Sequence, residues 1–298
     1  MHTVEGKTKT IRPGNREHTV LLETKDVLTA GDAAKRAEIA GISEHKTTQA
    51  ANVFTLLNRR GLPTAFIERA APNALLCHGC AMLPLELIIR RFAWGSYLKR
   101  YPEFRHDEGT PHRFDRLVTE INHKWAVVAA PAVEVPYQIP EEEARERFLR
   151  DGVWEKGIYT DPIIEFEDGR WMLFPHTEPI AGAEPLMEIA PVVHDDERRE
   201  IIQGLMVPAF EILERAWCGI DTRHGPVTLV DLKIEVGRRR SDNRLVIADV
   251  IDNDSWRIWP GGNPAYQLDK QVFRDDDPLG TVAENYALVA GLTEQFLD

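Results

Sequence analysis

Apolar and polar residues alternate along Leu229–Val236, where Val230, Leu232, Ile234 and Val236 interleave with Asp231, Lys233 and Glu235. A period of two predicts a strand with one buried face and the three charges on the other. Gly237 and the polar run 238–244 follow, and then Leu245–Ile251, apolar except for Asp249, so the stretch predicts a hairpin. With its turn centred near Asp242, Glu235 and Asp249 fall opposite each other, where facing residues sit about 4.5–5.5 Å apart. Two carboxylates that close need a cation between them. Mg²⁺ suits such a pair, because it binds through one or two carboxylates together with phosphate oxygens and water. A solvated strand face with an internal ion pair is the simpler account of Asp231, Lys233 and Glu235. Asp249 weighs against it, since a lone acid inside a buried run requires a partner.

The remaining pattern mixes strands and helices. Val20–Glu23, Thr64–Arg69, Ala74–Cys77 and Glu86–Arg90 read as strands, and Thr29-Ala30-Gly31-Asp32 reads as a turn capping a helix from Ala33. Helical spacing runs from Ser43 to Asn58 and stops at Gly61-Leu62-Pro63; it returns over Asp195–Trp217 and Val282–Leu297. Between about 107 and 200 prolines and acids accumulate, with a short helix near Pro140–Leu149 and strand pieces at Ile163–Phe166 and Trp171–Phe174. That region reads equally as a lid, an inserted hairpin or a dimer contact, which keeps a homo-oligomer open. At 298 residues the chain is long enough for two lobes sharing a cleft.

Charge and composition narrow the partners. Across 298 residues, 36 basic against 48 acidic side chains leave a net charge of −12, which argues against a nucleic-acid or membrane surface. Three cysteines make a disulfide framework an unlikely design and fit a reducing cytoplasm. Cys77 and Cys80 have CxxC spacing, but no second pair completes a zinc site. The N-terminus has no apolar leader, and no stretch approaches a membrane span in length.

Anion-binding chemistry is spread along the chain. Gly6 lets backbone approach a phosphate, with Lys7 and Lys9 as mobile charges beside it. Met82-Leu83-Pro84-Leu85 is an apolar linker fit to seat a flat ring, although core packing is the safer reading of Met82 from the sequence alone. Arg90, Arg91, Ser96, Lys99 and Arg100 crowd one turn, and Arg257, Lys270 and Arg274 follow the hairpin. A lysine-bearing glycine turn, two acids placed for Mg²⁺ and separate arginine–serine sites are what an enzyme needs to hold ATP beside a phosphorylated acceptor.

The chain resembles the SAICAR synthetase family, closest to its animal-type branch, with a divergent middle region. The resemblance rests on EGKTK at Glu5–Lys9, TAGDAA at Thr29–Ala34, LPLELIIRRFAWGSYLKR at Leu83–Arg100, LVDLKIEVG at Leu229–Gly237, and ADVIDNDSWRIWP and DKQVFRD within Ala248–Asp275. It implies an α+β fold in two lobes, a kinase-like N-terminal sheet lobe over residues 1–84 and a larger lobe related to ATP-grasp enzymes over 85–298, enlarged at about 107–200. It also implies an ADP-forming ligation in which ATP activates the carboxylate of carboxyaminoimidazole ribotide for the amine of aspartate. By matching motif, Lys7, Lys9, Met82, Glu86 and Lys233 are implied in ATP binding, Glu235 and Asp249 in holding Mg²⁺, and Lys233, Glu235, Asp249 and Lys270 in catalysis. Asp32, Arg90, Ser96 and Arg257 are implied in binding the ribotide substrate. The chain departs from the family at Trp94, at His45-Lys46, and in the absence of a clean Lys-Asp-Asp…Asp-Pro segment. Those departures carry an alternative, a ligase of the same fold acting on another heterocyclic carboxylate or amino acid in a specialised nucleoside pathway. A non-catalytic nucleotide-binding module would not need Glu235 and Asp249, and a protein kinase would need the absent H-R-D and G-x-G-x-x-G motifs.

Overall fold

The structure is a computed structural model that describes residues 3–30, 35–105 and 110–298. Helix and strand are both abundant, as an α+β protein requires. The chain groups into two compact units. One joins residues 1–82 to 203–298, and the other is residues 83–202.

In the first unit, an antiparallel sheet runs in the order Val4–Glu5, Lys9–Pro13, Thr19–Thr24, Ala74–His78 and Phe66–Ala71. The helix Ile42–Arg59 packs beside Leu279–Glu294, and polar side chains stitch the two together: Asn52 donates to Thr293 Oγ1 at 3.1 Å. The long strand Gly225–Arg239 is the spine of the rest. Leu245–Ala248, Trp256–Pro260 and Cys80–Met82 all pair with it. Gly237 makes the last pairing feasible, because a Cβ there would meet Cys80 Cβ at 2.9 Å and Met82 Sδ at 3.0 Å.

Three expectations change here. The hairpin forms, but Glu235 lies opposite Ala248 rather than Asp249. The turn is centred half a residue earlier than expected, with Arg239 donating to Arg244 O and Asn243 left-handed at φ 60°. The strand does not leave one charged face in water. Asp231 and Glu235 are both buried, because other strands and helices cover that side too. Lys35–Glu38 is a strand paired with Val27–Ala30, not part of a helix from Ala33; Ala37 and Leu28 pack into one cluster, so tertiary contact overrides helical propensity. Ala33 itself lies outside the described residues, as does Asp32.

In the second unit, Leu85–Phe92 pairs antiparallel with an eleven-residue strand, Arg113–His123, that the sequence pattern did not reveal. Beyond it come the hairpin Ile163–Glu167/Arg170–Phe174 and then Met187–Ile189. A three-stranded sheet of Trp125–Val128, Tyr137–Pro140 and Ile158–Tyr159 carries the helix Glu141–Phe148, with Ala126, Val128, Ile139, Ala144 and Ile158 as its core. Residues 195–218 are helical as expected, with a π-type stretch at Ile201–Met206.

Candidate functional site

The glycine turn is built as the sequence implied. Gly6 N donates to Lys9 O at 2.8 Å, closing the link between the first two strands, and Lys25 braces it through Glu5 and Gly6 O. Lys7 is exposed. Lys9 Nζ lies 2.5 Å from Asp249 Oδ1. Asp249 ends the hairpin in a left-handed conformation, φ 59°, an uncommon state for a residue with a side chain and one that concentrates at functional sites. Glu235, one register step away, is 8% exposed, and Lys233 N donates to Ser255 O at 2.7 Å on the same strand. Lys9 and Asp249 thus meet at the end of the hairpin whose other strand carries Lys233 and Glu235. Met82 pairs through its strand with Gly237 and is 43% exposed, so it is not the core residue that its apolar surroundings in sequence allowed.

Beyond Asp249 the chain folds into a tight acidic loop. Asp254 N donates to Asp252 Oδ1 at 2.8 Å, and Ser255 N to Asp252 O at 2.8 Å. Asp254 Oδ2 receives Lys46 Nζ at 2.7 Å and Lys270 Nζ at 3.2 Å, while Asp254 Oδ1 accepts the Tyr286 hydroxyl at 2.6 Å. Asp252 adds a longer contact to Lys46, 3.8 Å. Burial would lower the Lys46 pKa, but Asp252 and Asp254 outweigh it and hold the ammonium charged. Burial would likewise raise Asp254, yet Lys46 and Lys270 keep its carboxyl far below the usual range. Asp252, further from both ammoniums, is raised by burial. Lys270 shifts downward, through burial first, with Lys46 and Arg274 adding to it and Asp254 opposing. Of the assigned residues only Lys270 was anticipated in this cluster. Asp252 and Asp254 follow Asp249 closely in the chain, whereas Lys46 and Tyr286 come from helices distant in sequence.

Arg257 faces Asp231 directly across the strands and bonds it through Nη1, while its buried Nε has no hydrogen-bond partner among the described residues. Asp269, next to Lys270, accepts from Ile258 N and Gln271 N, and burial pushes its pKa up to about 6. Cys77 and Cys80 are free thiols on successive strands rather than in a loop, and burial raises them to about 12 and about 11. No group of three or more metal-ligating side chains occurs among the described residues.

In the second unit, Arg90 and Ser96 do meet: Arg90 Nη2 lies 3.2 Å from Ser96 Oγ, and Nη1 donates to Trp94 O. The sequence did not reveal what else holds Arg90. Its Nε donates to Glu120 Oε2 at 2.5 Å, and Arg100 bonds the other oxygen of Glu120 while donating to His176 O at 2.7 Å. All three side chains are almost fully buried. Glu86 is on the strand leading to Arg90, partly buried.

An α+β chain with a lysine–carboxylate hairpin beside a glycine turn has a known structural class. The fold matches that of a solved SAICAR synthetase (type 2) in complex with ADP, with a TM-score of 0.70 at 24% identity over 98% of this chain and 97% of that one. Sequence comparison reaches further. The SAICAR synthetase family model matches residues 2–129 and 185–291. The phosphoribosylaminoimidazole-succinocarboxamide synthase of Chloroflexus aggregans is 38% identical over 298 residues, covering 97% of this chain and 94% of that protein. The enzyme of the same name from Chloroflexus aurantiacus is 38% identical over 296 residues, again covering 97% and 94%. The chain belongs to the SAICAR synthetase family, whose members are ADP-forming carbon–nitrogen ligases that join carboxyaminoimidazole ribotide to aspartate.

Proposed function

We propose that this chain catalyses the family reaction with the family substrates. A carboxylate oxygen of carboxyaminoimidazole ribotide attacks the γ-phosphorus of ATP, and ADP leaves. The amine of aspartate then attacks the acyl phosphate carbon, phosphate is expelled, and the amine gives up a proton. A carboxylate is a poor acceptor for an amine, and the mixed anhydride divides one hard step into two easier ones. The observation that carries the reading is the Lys9–Asp249 contact, which brings the glycine turn and the end of the hairpin to one place.

The role of each residue belongs to the same proposal. Lys7, Lys9 and Lys233 neutralise the ATP phosphates. Met82 and Glu86 line the adenine pocket. By matching motif, Arg90, Ser96 and Arg257 are assigned to the ribotide phosphate. Asp32 joins the substrate set, and Lys270 acts as a cation beside the ribotide. Glu235 and Asp249 would hold Mg²⁺. The donor set fits, since Mg²⁺ binds through one or two carboxylates plus phosphate oxygens and water and needs no third protein ligand. Bound there, the ion supplies charge neutralisation at the transferring phosphoryl group. The free thiols accord with a reducing, cytoplasmic setting.

Residues 130–184 lie between the two stretches matched by the family model. The Chloroflexus aggregans enzyme nonetheless aligns over 97% of the chain, so that region is no ground by itself for another carboxylate or amine. The test is an assay of the full chain with ATP, Mg²⁺, carboxyaminoimidazole ribotide and a panel of amino acids, read by mass. The succinocarboxamide with ADP and phosphate is expected. AMP with pyrophosphate, or preference for another amino acid, would overturn the reading.

A further inference from the structure

Lys270 follows a turn with no regular element of its own to fix its side chain, apart from the four-residue helix Gln271–Arg274. What holds it is a polar clamp between two long helices. On the helix Ile42–Arg59, Lys46 and Gln49 are one turn apart and face inward. Lys46 reaches Asp254, and Gln49 spans two elements, donating through Nε2 to Tyr286 O at 2.9 Å and accepting Asn253 N on Oε1 at 2.8 Å. Asn253 in turn accepts Lys270 N at 3.2 Å and donates through Nδ2 to Leu268 O at 2.8 Å. The backbone around Lys270 is therefore tied to the loop 252–255.

The side chain is tied to the same loop through Asp254 alone. Asp254 Oδ2 is shared by Lys46 and Lys270, and two ammoniums on one oxygen repel each other. That oxygen can serve both only if the carboxylate is kept from rotating. At Oδ1 the Tyr286 hydroxyl does so, 2.6 Å away on the helix Leu279–Glu294. The Tyr286 ring is fully buried among Leu28, Ile42, Val272 and Phe273, so the hydroxyl is delivered by a rigid body.

We propose that Tyr286 is a positioning residue for Lys270: its hydroxyl locks Asp254, and Asp254 aims the Lys270 ammonium. The inference rests on the assignment of Lys270 to catalysis. Without the hydroxyl, Asp254 turns toward Lys46, the closer ammonium, and Lys270 is released.

The test is a double-mutant cycle on the full-length enzyme, using Tyr286→Phe, Lys270→Met and the pair, with kcat, KM for each substrate and melting temperature measured for each. Tyr286→Phe keeps the ring in its cluster and removes only the hydroxyl. Loss of a hydrogen bond to a charged group predicts a fall of about tenfold or more in kcat, with KM for ATP within about twofold. Because Tyr286 acts through Lys270, the same substitution made in Lys270→Met should cost less than about twofold. A merely structural role predicts the full tenfold loss in both backgrounds and a matching fall in melting temperature. The proposal is overturned by that additivity, or by wild-type kcat in Tyr286→Phe. If Lys270→Met alone is fully active, the assignment of Lys270 fails and the proposal with it. If Lys270→Met is inactive and Tyr286→Phe is not, only the positioning role falls.

Discussion

Lys9 and Asp249 stand 240 residues apart in the chain and 2.5 Å apart in space, Nζ to Oδ1. The contact joins a flexible cation at a glycine turn to a carboxylate fixed by the hairpin. Both side chains keep some access to solvent, 18% and 30% exposed. An ion pair of that exposure contributes little to stability, about 0–1 kcal/mol. Its placement therefore makes sense as an arrangement for ligand phosphates rather than as a fold-stabilising bridge.

Asp249→Asn separates those two accounts. Under the proposed function it should lower kcat by about 10²–10³, because the carboxylate that would hold the ion neutralising the charge of phosphoryl transfer is lost. The melting temperature should stay within a few degrees of wild type. A steady-state assay beside a thermal melt checks both; a large fall in melting temperature with kcat preserved would make Asp249 structural.

Glu120→Gln should do the opposite. Arg90 and Arg100 are 2% and 1% exposed and share the one carboxylate of Glu120. Neutralising it leaves two buried guanidiniums facing each other, and breaking a buried pair in this way costs about 3–5 kcal/mol. Urea unfolding should show that loss. A change below about 1 kcal/mol would mean that water or another group already compensates the arginines.

These two residues also show what the sequence could carry. Asp249 was legible because it is a single acid in an apolar run beside a strictly alternating strand. Glu120 stands in the mixed stretch Val118-Thr119-Glu120-Ile121-Asn122, with no apolar run to mark it as buried, and a bulge between Arg113 and Val118 breaks the period of its eleven-residue strand. The hairpin was legible and its register was not, because the register depends on the turn conformation around Asn243, which alternation does not encode. Tyr286 and Lys46 reach Asp254 from helices distant in sequence, and no local pattern announces such a meeting. The grouping of residues 203–298 with 1–82 is non-local in the same way.

His123 should make the protein acid-sensitive. Its Nδ1 accepts Trp125 N at 3.1 Å, and burial pushes its pKa down to about 4 from an ordinary 6.5. Between those values the unfolded chain binds a proton that the native chain refuses. The stabilisation is therefore complete above pH 6.5 and is lost as pH falls through about 4, amounting at most to about 3 kcal/mol. Asp269 acts with the opposite sign: its raised pKa, about 6, makes its contribution greatest at low pH and lost as pH rises through 6. Comparing wild type with His123→Asn isolates the histidine, since Asn Oδ1 can still accept the Trp125 amide. Urea unfolding at pH 7 and pH 4.5 should show a steeper acid loss in wild type; equal losses would mean that His123 is protonated in the native state.

Arg257→Lys tests whether the guanidinium does more than pair with Asp231. Asp231 is 5% exposed and needs a cation opposite it, and a lysine still supplies one, so the fold should survive with a modest loss. A lysine cannot supply a second, planar donor. Arg257 already commits Nη1 to Asp231, and under the proposed function the rest of its fork is what meets the ribotide phosphate. A guanidinium can bridge a carboxylate and a phosphate in one fixed geometry, whereas an ammonium is a point charge that Asp231 would draw to itself. KM for the ribotide should therefore rise by about tenfold or more, while KM for ATP changes less than about twofold. Isothermal titration with inorganic phosphate gives a second reading that does not depend on turnover, with weaker binding expected in the variant. Equal effects on both substrates, or unchanged phosphate binding, would return Arg257 to a purely structural partnership with Asp231.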